Sequence, residues 1–251
     1  MKIEILAYEI KHLLTRPLIL ASIIIFVVIG IYESYYLVPI CFTLGVTLPA
    51  IVSTSSILFS TLYPLVVVYI AYTNYAKPKA EGALESVLAT PVSRSEVFLS
   101  RMTSGTVIIF ISVIAYTLAI SFFIWYLFVG VVATEFQGLL LFILSSFLEL
   151  AMLYWIFMAI GSISRTQGQY IIFSAIALAI FEGLSFLAGV FPGFSWLIYS
   201  FTPIGISQGI NSVILSGFLS QPPLPFWISP IIWMALPPYL GVRHYTITDQ
   251  P

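Results

Sequence analysis

The residues that could do chemistry in this chain fall into two groups. Three glutamates, Glu33, Glu149 and Glu182, lie inside long apolar runs, and one charged segment, 77–101, carries Lys77, Lys79, Arg94 and Arg101 with Glu81, Glu85 and Glu96. A charged side chain at the centre of a membrane helix costs about 2.5–3.5 kcal/mol on insertion scales. No Lys or Arg lies at the depth of Glu149 or Glu182, so both are expected to be protonated, hydrogen-bonded across helices or open to a wet pathway. In one reading they line a translocation route and help bind a polar or cationic substrate. In the other they tie helices together through nearby Tyr, Trp, Ser or Gln, although such bonds average only about 0.6 kcal/mol in membranes. Glu33, towards the outer end of its run, is expected to reach the headgroups.

Catalytic and metal chemistry lack their usual carriers. There is no G-x-x-x-x-G-K-[ST] phosphate loop, no H-E-x-x-H zinc motif and no G-x-S-x-G elbow. The two histidines, His12 and His244, flank the apolar runs, and the single cysteine, Cys41, can form neither an internal disulfide nor a cysteine metal cluster. Neither an enzyme nor a resident metal or cofactor is expected, and no nucleic-acid partner.

The elements that position these groups follow from composition. Of 251 residues, 60% are hydrophobic and 8% charged, with a mean hydropathy of +1.08. Soluble domains carry roughly a quarter charged residues, so this chain lacks the polar surface to cover itself in water and needs a bilayer as solvent. A spanning helix needs about 20 apolar residues. Six runs qualify, at about 18–38, 52–76, 104–130, 138–161, 170–191 and 226–242; the last carries Pro230, Pro237 and Pro238 and is expected to be kinked. All nine basic residues then fall on one side: Lys2, Lys11 and Arg16 before the first span, the four of 77–101 after the second, Arg165 after the fourth and Arg243 after the sixth. That segregation predicts cytoplasmic termini.

Residues 192–225 contain no Lys or Arg. A seventh span at 201–220 would move Arg243 outside, so 192–225 is read as an outer interfacial hairpin, lying flat or dipping partway in. Ahead of the first span, Ile3, Leu6, Ile10, Leu13 and Leu14 form a stripe opposite Glu4, Lys11 and Thr15, which predicts an amphipathic surface helix over 1–16, ended by Pro17. The first run is too long for a signal h-region and its leader is acidic in part, so no cleaved signal is expected. Tyr32, Tyr35, Tyr36, Trp125, Tyr126, Trp196, Tyr199 and Trp227 lie near predicted outer ends, where aromatic residues form an interfacial belt.

Segment 77–101 reads KPKAEGALESVLATPVSRSEVFLSR. Residues 80–89 can form a short helix with Glu81 and Glu85 one turn apart and Ala83, Leu84, Val87 and Leu88 as its apolar face. Thr90-Pro91 ends it, and Ser93 with Glu96 makes a capping box that starts the next helix. Arg101 is placed to meet lipid phosphates. Such a loop could be a solvated turn that helps orient the chain, or a docking element.

The run Glu81-Gly82-Ala83-Leu84-Glu85-Ser86-Val87-Leu88, followed by Thr90-Pro91-Val92-Ser93-Arg94 and Glu96, resembles the ABC-2 type of ABC transporter permease. The resemblance implies an all-α integral membrane protein of six transmembrane helices, one permease domain over 1–251, multi-pass in the plasma membrane. It makes 1–16 an elbow helix and 77–101 the loop whose short helix couples the spans to a separate nucleotide-binding ATPase, with Glu81, Gly82, Leu84, Glu85, Leu88, Pro91 and Arg94 as its coupling residues. ATP and Mg belong to that partner, and a second permease, identical or not, completes the assembly; export is implied by the family and by no residue. Two other classes stay open: a self-sufficient proton-coupled carrier built on Glu149 or Glu182, and a membrane scaffold that transports nothing.

Overall fold

The computed structural model describes residues 3–43, 52, 57–83, 93–127, 136–205, 207–210 and 228–247. Among them every regular element is helical. Helix α1 (Ile3–Leu14) is followed by α2 (Pro17–Thr43), whose first residue is a proline, suited to a first turn where its missing N–H costs nothing. Helix α3 (Ile57–Ala71) runs directly into a π-helical turn (Tyr72–Ala76) and α4 (Lys77–Ala80). Helices α5 (Arg94–Leu127) and α6 (Phe136–Ile163) come next. After them follow α7 (Gln167–Val190), α8 (Pro192–Phe201) and α9 (Ile228–Ile247), which runs unbroken through Pro237 and Pro238.

Among the described residues four helices are long and apolar enough to cross a membrane, over Pro17–Tyr36, Arg94–Tyr126, Gly138–Ile163 and Gln167–Ala188. Their burial separates the centre of the bundle from its edge. About half of the apolar stretch of α5 and α6 is buried, 50% and 56%, against 22% for α2 and 17% for α7. The outward face of α7 carries Ile171, Ile172, Phe173, Ile176, Ile180 and Phe186, all exposed, a surface that lipid covers and water would not. The core includes an aromatic stack in which Phe59 lies 4.1 Å from Tyr116 and 4.6 Å from Tyr63, with Phe26 edge-on to both Phe59 and Tyr63.

Cross-helix contacts gather the basic residues at one end of the bundle. Arg101 of α5 pairs with Glu9 of α1, Lys79 of α4 reaches the end of α6, Glu81 meets Gln167 at the start of α7, and Phe98 of α5 packs on Gly241 of α9, next to Arg243. Tyr32, Tyr35, Tyr36, Trp125, Tyr126 and Trp196 are exposed and Tyr199 is half-buried; Trp227 lies outside the described residues.

After α8 the chain turns sharply and returns into the bundle. Thr202, Pro203, Ile204, Gly205, Ser207, Gly209 and Ile210 are buried. Gly205 permits this return, because a Cβ there would overlap the Tyr199 carbonyl. The carbonyl of Phe201, where α8 stops, accepts from Trp233 Nε1 of α9 (3.0 Å), and that of Thr202 accepts from Gly205 N (3.1 Å) and from Ser229 Oγ of α9.

Candidate functional site

Segment 77–101 carries a proline, Pro78, at its second position. In an α-helix the ring of Pro78 would press on the carbonyl of Asn74, four residues back, and it offers that carbonyl no N–H. The chain widens just upstream: Lys77 N–H bonds to Tyr72 O, five residues back, which closes the π-helical turn. Arg101 Nη1 supplies the missing donor to Asn74 O at 2.7 Å.

A buried cluster has formed around this repair. Asn74 Nδ2 donates to Arg101 O at 2.7 Å and to Tyr154 OH at 2.9 Å, with Ser104 Oγ at 3.3 Å as a weaker third contact. Tyr154 OH and Ser104 Oγ both donate to Arg101 O at 2.9 Å. On the other side of the guanidinium, Arg101 Nε lies 3.3 Å from Glu9 Oε1, a charge contact without the alignment of a hydrogen bond. Glu9, Asn74, Arg101, Ser104 and Tyr154 are all at most 9% exposed, so four elements share one desolvated knot. Gly105 makes room for it, since a Cβ there would overlap the Tyr154 ring and hydroxyl. Arg101 is thus turned inward and paired, away from the lipid phosphates it was expected to meet. Sequence reasoning had no signal for this beyond the pairing of one leader acid with one basic residue at the start of a span.

Beyond the knot, α4 ends at Ala80 and Gly82 adopts φ 72°, the left-handed stop that glycine accommodates best. The helix expected over 80–89 therefore does not begin at Ala80; Ala83 is the first helical residue after the stop. Glu81, Gly82 and Ala83 are exposed. Glu81 Oε1 is 3.9 Å from Lys77 Nζ and accepts from Gln167 Nε2 at 3.3 Å, while Tyr72 OH donates to Gln167 Oε1 at 2.6 Å. Lys79 Nζ donates to the carbonyls of Ser162 and Ser164, the latter at 3.2 Å, satisfying open acceptors at the end of α6. Leu84, Glu85, Leu88 and Pro91 lie outside the described residues. At Ser93 the expected capping box is formed: Glu96 N donates to Ser93 Oγ (3.3 Å) and Ser93 N donates to Glu96 Oε2 (3.2 Å). Arg94 opens α5 half-buried.

The second site is a cleft of about 100 Å³ lined by Ser60, Thr61, Glu149, Glu182, Ser185, Ile204, Ser207 and Gln208. At about 30 Å³ per water it holds roughly three. Both mid-span glutamates open onto it, Glu149 with 4% of its surface exposed and Glu182 half-buried. Ser207, from the returning segment, donates its hydroxyl to Ile204 O at 2.9 Å and lines the cleft beside Glu149. The glutamates were legible as costly residues at depth; Ser60, Thr61, Ser185, Ser207 and Gln208 were not, since isolated hydroxyls in apolar helices commonly bond back to their own carbonyls. Glu33 stands apart from the cleft. It is half-buried in α2, with Oε2 enclosed and without a hydrogen-bond partner.

No protein-family model matches the chain, and no curated protein matches it significantly.

Proposed function

We propose that this chain is the transmembrane permease subunit of an ATP-driven ABC exporter, coupled to a separate ATPase through the 77–101 loop. The observation that carries the proposal is the exposed turn at 81–83. It is solvent-facing, yet fastened to the bundle through Lys79, Glu81 and the buried knot behind Asn74. A free linker needs no such anchoring. A surface that must transmit force does.

In this reading the four long apolar helices are joined as spans by Ile57–Ala80 and Ile228–Ile247, giving six, with the basic end and both termini cytoplasmic. Helix α1 is the elbow at the membrane surface. Glu81, Gly82, Leu84, Glu85, Leu88, Pro91 and Arg94 form the coupling surface, the partner holds ATP and Mg, and a second permease completes the pathway. Glu149 and Glu182 line part of the route for a polar or cationic cargo.

The test is affinity purification of the chain from its native host in mild detergent, with mass spectrometry of what accompanies it. Recovery of a Walker-motif ATPase in near-equal amount is expected, and charge reversal at Glu81 and Glu85 should abolish that association. Recovery of the chain alone at native expression would overturn the proposal. It would favour a proton-coupled carrier, for which the shared cleft of Glu149 and Glu182 is the supporting observation.

A further inference from the structure

The buried knot joins an element that carries no part of the docking turn to the two segments that flank it. Counting about 1.5 Å per helical residue, Asn74 lies roughly 10 Å behind Glu81 on the incoming side. Arg101 lies roughly 12 Å beyond Ser93 on the outgoing side. Pro78 denies Asn74 O a donor from its own α-helical register, and Arg101 provides one while the same guanidinium faces Glu9 on α1. When the helix bearing the turn is displaced, Arg101 must either carry α1 with it or leave Glu9. The second path strands a charge where Glu9 and Arg101 are 9% and 8% exposed, a strongly unfavourable state.

We infer that Glu9, Asn74 and Arg101 are positioning residues that make α1, the π-helical turn and the start of α5 move as one unit, so that a push received at 81–83 is delivered to the amphipathic helix at the membrane surface. The α6 helix meets the knot through Tyr154, on Asn74 and Arg101 O, and holds the turn again through Lys79; neither contact involves Glu9, so a Glu9 variant leaves both in place. Only the origin of the push rests on the ABC reading. The linkage belongs to this chain and is measured without an ATPase, so its failure and the failure of that reading are separate results.

The test places spin labels on the full chain in lipid nanodiscs, in a Cys41→Ser background. Labels at Lys11→Cys and Ala83→Cys span α1 and the turn; labels at Ala83→Cys and Arg165→Cys span the turn and the end of α6. All three positions are exposed. Pulsed electron paramagnetic resonance reads the width of each distance distribution. Glu9→Gln should broaden the 11–83 distribution to about twice its width, by freeing α1 locally, and leave 83–165 unchanged. The double variant Glu9→Gln/Arg101→Met removes the stranded charge, and 11–83 should remain broad. An unchanged 11–83 width in both variants would overturn the inference. So would broadening of both distances together, which indicates general loosening, or a return to wild-type width in the double variant, which indicates that charge burial was the whole effect.

Discussion

Replacing Gly105 by alanine sets two effects of opposite sign against each other. Gly105 is in the interior of α5, and helix propensity alone makes alanine the better residue by about 1 kcal/mol. The knot argues the other way. A methyl group at Gly105 would overlap the ring and hydroxyl of Tyr154, and Tyr154 is fully buried, so the ring has no open space to move into. Overpacking of this kind costs about 1–3 kcal/mol. Displacing the hydroxyl also loses its bonds with Asn74 and Arg101 O, worth about 1 kcal/mol each. After the propensity gain, Gly105→Ala should destabilise by roughly 2–4 kcal/mol, a fall of roughly 5–15 °C in thermal midpoint for a chain of this size. The assay is thermal unfolding of the purified chain in detergent. Tyr154→Leu should itself destabilise, and the double variant should be clearly less unstable than the sum of the two, since the substitutions relieve one overlap. An unchanged or raised midpoint for Gly105→Ala would refute the close packing of Tyr154 and with it the geometry of the knot.

Lys79→Met should lower the midpoint by the equivalent of about 1 kcal/mol, because the acceptors at the end of α6 lose a charged donor that is partly screened by solvent; the loss should appear as faster amide exchange near the end of α6. Gly205→Ala should cost more than about 2 kcal/mol, since the overlap is with the backbone of Tyr199, which cannot swing aside, and Ser207→Cys should become more reactive in that background. The cleft should be wet. In a Cys41→Ser chain in membranes, Ser185→Cys should react with a water-soluble thiol reagent, whereas Ile180→Cys, on the outward apolar face of the same helix, should be slow; equal rates would remove the cleft from any pathway.

The parts of this fold that were legible in the sequence are those set by neighbours along the chain. Apolar runs marked the long helices, and Ser93 with Glu96 marked the start of α5, ten residues ahead of the apolar stretch read as its span. Segment 77–83 carried its own signals, Pro78 for a disturbed helix and Gly82 for a left-handed stop, and a helix drawn across Gly82 ignored the second. Convergence could not be read. Glu149 and Glu182 are 33 positions apart in the sequence, and that they open onto one cleft, with a wall from 204–208, depends on a chain reversal that only Gly205 makes possible. Arg101 was misplaced for a related reason. Its neighbours in sequence suggest an interfacial cation, while its partners are Glu9, 92 positions earlier, and Asn74, 27 positions earlier.

Those partners explain why a buried ion pair is tolerable here at all. An isolated Glu–Arg pair out of water often fails to recover its desolvation cost, and at 3.3 Å the Glu9–Arg101 contact is good but not aligned. What distinguishes this pair is that the arginine has a second task on its other nitrogen. Pro78 leaves Asn74 O without an α-helical donor in a buried position, and an unmet buried carbonyl carries a cost of about 1–3 kcal/mol. Arg101 meets that need with a charge-assisted bond, and Glu9 neutralises the charge brought in to do it. The proline, the arginine and the leader glutamate form a dependent series, each answering a deficit created by the one before. Replacing Pro78 by alanine should therefore restore the helix's own donor, relax the π-helical turn and weaken the need for Arg101, so that Arg101→Met costs less in a Pro78→Ala background than alone. A double-mutant cycle on thermal stability decides it: additive losses would mean that the proline and the arginine are unconnected.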